Sequence, residues 1–385
     1  MIMYSGKAVG RAGNILRKSD FKTSGPEFEN AINTLSYWRS IHEKPLADAM
    51  IFVQKIVTPI DKKAVFAKRP KRTPSIINKL KRFEKMSLRN MNDIGGCRVI
   101  VSNQKVLKKA IKQVRRHKNY FGPSHAVDFR DYLKNPKDDG YRGFHLMGRF
   151  EGSDGKKRVI EIQFRTVIQH SWATSVEIVD IFTNQTLKSS SGDKKWAYFF
   201  ENVSKLLTKI ESLVPDERQY TSEQIQDRYV DCLDGDLELQ NVHKVVVDLT
   251  KSLKVIERFK AFTGSVDFVS EVLDSNATVS GGYVLLEVNT KSKILKSNFF
   301  ESGRSEDAVD QYTVRERSNR HKKDIVVALV STTAIGGIKE AYPNYFADAT
   351  IFIHYLTLFS SITIEDQLKD KIFKYFTGVN YKDVS

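Results

Sequence analysis

The N-terminal apolar positions recur at helical spacing. Apolar residues lie three or four apart from Phe28 to Ile41, which places them on one face of a helix. Pro45 predicts an interruption, followed by a second helix that runs to Val57. His42 shares a face with Trp38, and packing against the core is favoured over a catalytic role for this histidine.

Residues 158–165 change to strict alternation. Ile160, Ile162 and Phe164 form the apolar set, and the opposite set is Val159, Glu161, Gln163 and Arg165. Such alternation is typical of a strand, and polar side chains on a central strand cost free energy unless they bind something. We therefore expect this face to line a site, with Glu161 and Asp93 at the ends of neighbouring strands.

The remaining pattern divides the chain into two units. Helical spacing covers 104–118, 166–183, 195–213 and 222–272, and the turn-forming segment 274–282 predicts a boundary near residue 275. Beyond it we expect strands over 283–288, 294–300 and 324–331 and helices over 305–318 and 335–362. The sequence thus predicts an α+β fold with a larger unit, 1–275, and a small α+β unit, 276–385.

Charge and cysteine content restrict the function classes. The chain has 385 residues and a formal net charge of +16, which favours nucleic acid, a nucleoside polyphosphate or an acidic protein as partner over a merely soluble basic surface. Two cysteines, Cys97 and Cys232, exclude a disulfide framework and a cysteine-rich zinc site. No apolar run approaches the ~20 residues that span a bilayer, so we expect a cytoplasmic protein with no membrane contact.

Residues 62–85 carry ten basic side chains against one acid. A charge run is usually a solvated face, but Ser75, or the threonine two residues before it, can cap a helix that ends near residue 86. Ser75 and Lys79 then share a face, and Arg69 and Lys71 lie just before it. Cations around a helix start form a natural polyphosphate site.

Two carboxylates and an aromatic loop complete the candidate chemistry. Asp93 and Glu161 together suit Mg²⁺, which takes one or two carboxylates plus waters and phosphates. Tyr141 follows a glycine on a loop, where a ring is more suited to stacking on a base than to filling a core. Lys137 and His145 flank it, although a strand histidine is as often merely structural.

Four ordered motifs resemble the synthetase domain of RelA/SpoT proteins. They are Arg69 to Lys79 (Arg-x-Lys-x-x-x-Ser-Ile-x-x-Lys), Asp93 to Arg98 (Asp-Ile-x-Gly-x-Arg), Asp131 to His145 (Asp-Tyr-x-x-x-Pro-Lys-x-x-Gly-Tyr-x-x-x-His) and Glu161 to Ala173 (Glu-x-Gln-x-Arg-Thr followed by Trp-Ala). No hydrolase or regulatory region of the long enzymes fits in this length, so the chain is similar to the small alarmone synthetases.

This resemblance implies a mixed-sheet, nucleotidyltransferase-like domain that uses ATP and Mg²⁺. It implies ATP binding by Arg69, Lys71, Ser75 and Lys79, metal binding by Asp93 and Glu161, and acceptor binding by Lys137, Tyr141, His145, Gln163 and Arg165. Glu161 is also suited to activating the acceptor hydroxyl. Two departures alter the acceptor side: Asp128-Phe129-Arg130 stands where Arg-Phe-Lys is frequent, and Asp139 stands where asparagine precedes Gly-Tyr.

The second unit resembles the C-terminal part of fused toxin–antitoxin synthetases of the CapRel group. It carries the pair Tyr342 and Tyr345, and it has no cysteine, in keeping with a pseudo-zinc-finger domain. That resemblance implies pyrophosphate transfer to the 3′ end of tRNA, inhibition by the tyrosine pair at the ATP site, and release by a phage protein, typically a capsid protein. Stacking of those tyrosines on Arg69 would contribute roughly 0.5–2 kcal/mol, whereas simple packing within the unit is the alternative.

Two alternatives to a tRNA-modifying toxin stay open. One is an alarmone synthetase that makes (p)ppGpp or (p)ppApp from ATP and a free nucleotide. The other is a catalytically inactive RNA-binding protein, against which the intact Asp93 and Glu161 argue. We expect a monomer without zinc.

Overall fold

The protein is described by a computed structural model. It covers residues 3–19, 25–71, 73–121, 129–183, 194–216, 219–256, 259, 282–289, 294–319, 322, 325–331 and 350–362.

Three helices begin the chain: α1 (Gly6–Lys18), α2 (Pro26–Ser40) and α3 (Glu43–Val57). The predicted interruption at Pro45 is displaced. The break falls at residues 41–42, and Pro45 lies in the first turn of α3. Proline is tolerated there because the first N–H groups of a helix have no intrahelical acceptor. His42 is buried, its Nδ1 lies 2.7 Å from the carbonyl oxygen of Trp38, and it packs edge-on against that indole, so it is a packing residue.

A five-stranded sheet forms the centre of the larger unit. Its strands are β1 (Val65–Pro70), β2 (Gly95–Val101), β3 (Phe129–Asp131), β4 (Phe144–Glu151) and β5 (Lys157–Thr166), in the order β1-β2-β5-β4-β3. β2 and β5 run parallel, whereas the other neighbours are antiparallel. This mixed sheet with its helices confirms the predicted α+β fold.

One face of the sheet packs against helices, and the first two helices belong to a separate apolar cluster. Ile160, Ile162 and Phe164 of β5 pack against α3 and α5 (Gln104–Arg115), with the short α6 (Lys118–Phe121) beside them. Helix α4 (Thr73–Arg82) and the 3₁₀ turn Leu88–Asn90 join α1 and α2 in a separate apolar cluster. α4 thus ends at Arg82 rather than near residue 86.

A helical layer follows the sheet in sequence. It contains α7 (Val167–Thr183), α8 (Lys194–Leu213), α9 (Ser222–Leu233) and α10 (Leu237–Ser252). Trp172, Phe199, Phe200 and Tyr229 are core residues of this layer. Among the described helices, none combines the length and hydropathy that a membrane crossing requires.

The second sheet has the order β7-β6-β8 and is antiparallel. Its strands are β6 (Gly282–Asn289), β7 (Ile294–Glu301) and β8 (Ile325–Ser331), with the 3₁₀ turn Ser302–Arg304 before helix α11 (Ser305–Ser318). Tyr312 of α11 is buried against this sheet, and Arg39 of α2 both donates a hydrogen bond to its hydroxyl (3.2 Å) and covers its ring. The second unit therefore contacts the N-terminal helices.

The last described helix, α12 (Thr350–Ser361), packs into the helical layer of the larger unit. Phe352 stacks on Phe200 with ring centres 5.8 Å apart, and the carbonyl of Ile362 lies 3.2 Å from Nε2 of His243. The predicted boundary at residue 275 lies outside the described residues and stays a prediction. Residues assigned to the second unit by sequence nevertheless complete the core of the first.

Candidate active site

One cavity of about 390 Å³ brings together the residues that the sequence singled out. It is lined by Lys71, Ser75, Lys79, Asp93, Lys137, Tyr141, His145, Glu161, Gln163 and Arg165. Arg69 lies at the end of β1, but its side chain is outside the described part of the chain, as are Asp128, Tyr342 and Tyr345 entirely. The candidate ATP side and the candidate acceptor side therefore share one space.

Asp93 lies between two lysines that line the cavity. Its Oδ2 accepts from Nζ of Lys71 at 2.8 Å and from Nζ of Lys79 at 2.9 Å. Helix α4 presents Lys79 and Ser75 one turn apart, as the spacing predicted. Burial favours the protonated carboxyl, but the two ammonium groups outweigh it, and the pKa of Asp93 lies below its ordinary value. Asp93 is therefore ionised and held by two cations that could also bind phosphate.

Glu161 lies in the middle of β5, beside Gly96 of β2, and not at a strand end as expected. Asp93 precedes β2 by two residues, and β2 and β5 are parallel neighbours, so both carboxylates reach the same cavity. The charge of Glu161 opposes ionisation of Asp93 and so acts to raise its pKa. The two acids are thus electrostatic neighbours.

A hydrogen-bonded chain holds Glu161 from the acceptor side. Arg165 Nε donates to the hydroxyl oxygen of Tyr141 (3.2 Å), and that hydroxyl lies 2.6 Å from Nε2 of His145. Because the tyrosine accepts from an arginine, its own proton is directed at the imidazole. Nε2 of His145 is then the acceptor, and Nδ1–H donates to Oε1 of Glu161 at 2.9 Å. The chain fixes one tautomer of His145.

The protonation states agree with this arrangement. Burial lowers the pKa of His145 below its ordinary value, so the ring is neutral at neutral pH. Burial would raise the pKa of Glu161, but the hydrogen bond from His145 and a second one from Gln163 Nε2 (2.8 Å) outweigh it, and the pKa falls to about 2. Glu161 is an ionised acceptor with both oxygens oriented.

Tyr141 is more enclosed than the loop position suggested. Its side chain is only 9% exposed and belongs to the core cluster of the helical layer. Lys137 Nζ lies 4.8 Å from the centre of its ring and 4.9 Å from that of Tyr132, and the Arg165 guanidinium lies 5.0 Å from the Tyr141 ring. The side chains of Lys137 and Arg165 therefore lie over the Tyr141 ring, which the sequence had predicted to stack on a base.

The loop before Tyr141 is shaped by Asp139 and Gly140. Oδ1 of Asp139 accepts from the backbone N–H of Tyr141 at 2.9 Å, a turn contact that the oxygen of an asparagine could make equally well. Gly140 has a φ of +89°, and a Cβ there would lie 3.0 Å from Cβ of Ser204. Ser204 also donates to the Gly140 carbonyl, so the loop is fixed directly against α8.

Several lining residues were not among the predicted site residues. They include Arg98, Arg130, Tyr132, Trp172 and Glu177. Arg98 and Glu177 form an ion pair at 3.6 Å. Arg98 and Trp172 stand within the recognised motifs and could have been found there, whereas Arg130 lies on β3, a strand that the sequence did not reveal.

The residues fit a magnesium ion that is coordinated partly by protein carboxylates and partly by the phosphates of a nucleotide. Oδ1 of Asp93 is buried without a hydrogen-bond partner among the described residues, and Glu161 is ionised. No group of three or more histidine, cysteine or acidic side chains suited to a metal occurs in the described ranges. Mg²⁺ usually takes one or two carboxylates and completes its coordination shell with water and phosphate. Asp93 and Glu161 supply the two carboxylates in this cavity.

Residues 68–179 match the family model described as "Region found in RelA / SpoT proteins". This part of the chain is therefore similar to the region that RelA/SpoT proteins share. GTP pyrophosphokinase YjbM of Bacillus subtilis (strain 168) is 31% identical over 111 residues, which cover 28% of this chain and 51% of the relative. GTP pyrophosphokinase YwaC of the same organism is 30% identical over 115 residues, or 28% and 52% of the two chains. The chain thus spans about half the length of these relatives.

Among solved structures, the chain is similar to the small alarmone synthetase 1 from Bacillus subtilis bound to its product pppGpp. The sequence identity is 19%, the similarity covers 47% of this chain and 94% of that one, and the TM-score is 0.39.

Proposed function

We propose that the protein is a Mg²⁺-dependent pyrophosphokinase that transfers the terminal diphosphate of ATP to a ribose hydroxyl. The hydroxyl oxygen bonds to the β-phosphorus, the bond from that phosphorus to the α–β bridging oxygen breaks, and AMP leaves. The observation that carries the proposal is the cavity itself. Two ionised carboxylates, Asp93 and Glu161, line it together with the ammonium groups of Lys71 and Lys79. Charge that develops on phosphate oxygens during transfer needs such cationic and metal partners.

On the ATP side, Lys71, Lys79 and Ser75 would bind the phosphates, and Arg69 would assist them. Asp93 and Glu161 would hold the metal, which supplies neutralisation of the phosphate charge when it is bound. In this resting arrangement Asp93 takes the place of the phosphates on both lysines. Binding of ATP therefore exchanges a carboxylate for phosphate oxygens at the two ammonium groups.

On the acceptor side, Glu161 is the candidate proton acceptor for the attacking hydroxyl. A pKa of about 2 makes it a weak base in the resting protein. The positive charge of Lys79 contributes to that low value, so its engagement with phosphate would allow the pKa to rise. His145 and Gln163 orient the carboxylate, and Lys137 and Arg165 offer charge to an anionic acceptor.

We favour the 3′ end of tRNA as acceptor, with a free nucleotide as the second candidate. The net charge of +16 supports a large polyanion. Asp139 does not discriminate, since its carboxylate serves the turn before Tyr141. The two relatives are named GTP pyrophosphokinases, which supports the free nucleotide that would yield (p)ppGpp; an adenine nucleotide would yield (p)ppApp.

The proposal extends to a fused toxin–antitoxin in anti-phage defence. The second unit, through Tyr342 and Tyr345, would inhibit transfer until a phage protein, such as a capsid protein, binds it. Contact between the units supports a mechanical link: Arg39 donates to Tyr312 of α11 and to Oγ1 of Thr73, the first residue of α4. Through Arg39 the second unit thus touches the helix that carries Ser75 and Lys79.

The test is a transfer assay on the full chain carrying Tyr342→Ala and Tyr345→Ala, which should relieve the proposed inhibition, with β,γ-labelled ATP and either deacylated tRNA or GDP. We expect label on tRNA, and a loss of at least about a hundredfold in Asp93→Asn and Glu161→Gln. Asp48→Asn is the control, because Asp48 is an exposed acid paired with Lys44 outside the cavity. Unchanged transfer in both cavity variants would refute the proposal, and label on GDP alone would select the second acceptor.

Release from inhibition is tested separately. Full-length protein with Tyr342→Ala or Tyr345→Ala should arrest growth on expression where the wild type does not, and adding Asp93→Asn should restore growth. Growth that is equally poor with and without Asp93→Asn would show that the arrest is not due to transfer.

A further inference from the structure

A basic groove lies on the sheet face opposite the cavity. It encloses about 680 Å³ between α5 and the segments 131–134 and 142–144. Seven basic residues and one acid line it, and three of the basic residues, Lys108, Lys112 and Arg115, lie three or four positions apart on α5. Within the described residues, none of these seven forms an ion pair with a carboxylate. The single acid, Asp131, directs Oδ1 at the backbone N–H groups of residues 133 and 134.

The basic side chains of the groove on α5 lie in a row along the helix and do not converge on one point. Lys108, Lys112 and Arg115 are spaced over seven residues of helix, or about 10 Å at 1.5 Å per residue. A free nucleotide would need donors that converge on one point, whereas a row of exposed cations matches successive phosphates of a polymer. Arg142 adds a buried Nε without a partner among the described residues, while its Nη2 donates to the carbonyl of Leu133.

An aromatic stack borders the row. Phe129 is 38% exposed and stacks on Phe144 with ring centres 5.5 Å apart and planes 11° from parallel. The guanidinium of Arg115 lies 4.6 Å from the centre of the Phe129 ring. Cationic rows interleaved with exposed rings are typical of single-stranded nucleic-acid sites, because every base presents a flat face.

The groove and the cavity meet at the edge of the sheet. β3 is the edge strand, and its residues alternate between the two faces. Phe129 and Asp131 are on the groove side, whereas Arg130 and then Tyr132 line the cavity. A strand that follows the row and crosses β3 would reach Arg130 and enter the site of transfer.

We propose that the basic groove binds the single-stranded segment of an RNA acceptor and directs its 3′ end over β3 into the cavity. The inference rests on the proposed function, because it concerns the acceptor of the same transfer. α5 and Phe129 then select the acceptor and take no part in the transfer reaction itself. Free nucleotides would bypass the groove.

The experiment measures binding of a short fluorescein-labelled single-stranded RNA to the full chain across a range of salt concentrations. The test variant is Lys108→Ala with Lys112→Ala. The matched control is Lys105→Ala with Lys109→Ala, which has the same spacing and charge change on α5 but lies outside the groove. Phe129→Leu tests the ring.

We expect the groove pair to weaken RNA binding about tenfold and to reduce the salt slope by about 1.4, or ~0.7 per lost phosphate contact. The control pair should change affinity less than about twofold, Phe129→Leu should weaken binding about fivefold or more, and ATP binding should stay unchanged in all variants. Equal losses in both pairs, an unchanged salt slope, or displacement of the RNA by free GTP would overturn the inference. If RNA binds through the groove but label is transferred only to a free nucleotide, the tRNA proposal fails and the groove assignment stands.

Discussion

Tyr141→Phe separates the two roles that this residue could have. A base that stacks on the ring needs only the ring, which phenylalanine keeps. The chain from Arg165 through Tyr141 and His145 to Glu161 needs the hydroxyl, since that oxygen accepts from Arg165 and donates to His145. The structure favours the second role, because the ring is buried and flanked by cations.

The expected magnitude follows from the two groups that lose a partner. Nε2 of His145 and Nε of Arg165 would be buried and unpaired, at a cost of about 1–3 kcal/mol each. We therefore expect the free energy of unfolding to fall by about 2–6 kcal/mol. A comparable loss of about 1–3 kcal/mol in the positioning of Glu161 corresponds to transfer roughly five- to 150-fold slower.

The assays are urea unfolding, followed by tryptophan fluorescence, and label transfer from ATP at saturating acceptor in the full chain carrying Tyr342→Ala and Tyr345→Ala. Tyr132→Phe is the matched control, because Tyr132 lines the same cavity and its hydroxyl receives only a 3.5 Å contact from Arg130. We expect Tyr132→Phe to keep the wild-type free energy of unfolding and to transfer label at a rate within about twofold of the wild-type rate. Wild-type rate and stability in Tyr141→Phe would refute the role of the hydroxyl and leave only the ring.

Two further outcomes concern stability. Burial lowers the pKa of His42 from 6.5 to about 4; because the unfolded chain takes up this proton at the higher pH, the free energy of unfolding should fall by up to about 3 kcal/mol as the pH drops through that window. Urea titrations at neutral and mildly acidic pH should show a loss that is smaller in His42→Asn than in the wild type by up to about 3 kcal/mol, and equal losses would contradict it. Gly140→Ala should cost about 3 kcal/mol, against about 1 for Gly235→Ala, which has a φ of +82° with no atom within 4 Å of the added Cβ. If urea unfolding shows that both variants lose the same free energy of unfolding, the contact of the added Cβ with Ser204 does not contribute to the loss.

Local pattern predicted most of the elements that build the site. The alternation of β5 placed Glu161, Gln163 and Arg165 on one face, and the four-residue spacing placed Ser75 with Lys79, because both periodicities follow from backbone geometry alone. β1 was hidden because its lysine and arginine resembled a solvated charge run. β3 has only three residues, too few for any period to emerge.

The contacts within the site could not be predicted in the same way. His145 meets Glu161 because β4 and β5 pair in a register that places His145 opposite Gln163, and register depends on the whole sheet. Enclosure of Tyr141 requires α7 and α8 to cover the loop. Sequence spacing gives neither the pairing nor the cover, so Tyr141 was expected to be open to a base.

The position of α12 changes how a shortened chain should be interpreted. Phe352 stacks on Phe200, and the carbonyl of Phe200 accepts from the indole of Trp172, which lines the cavity. Cutting the chain at residue 275 would uncover these aromatic rings and remove packing that supports Phe200 and Trp172 in the lining of the cavity. A silent or toxic truncated protein would therefore report on misfolding as much as on relief of inhibition, and point substitutions in the intact polypeptide are the cleaner way to distinguish them.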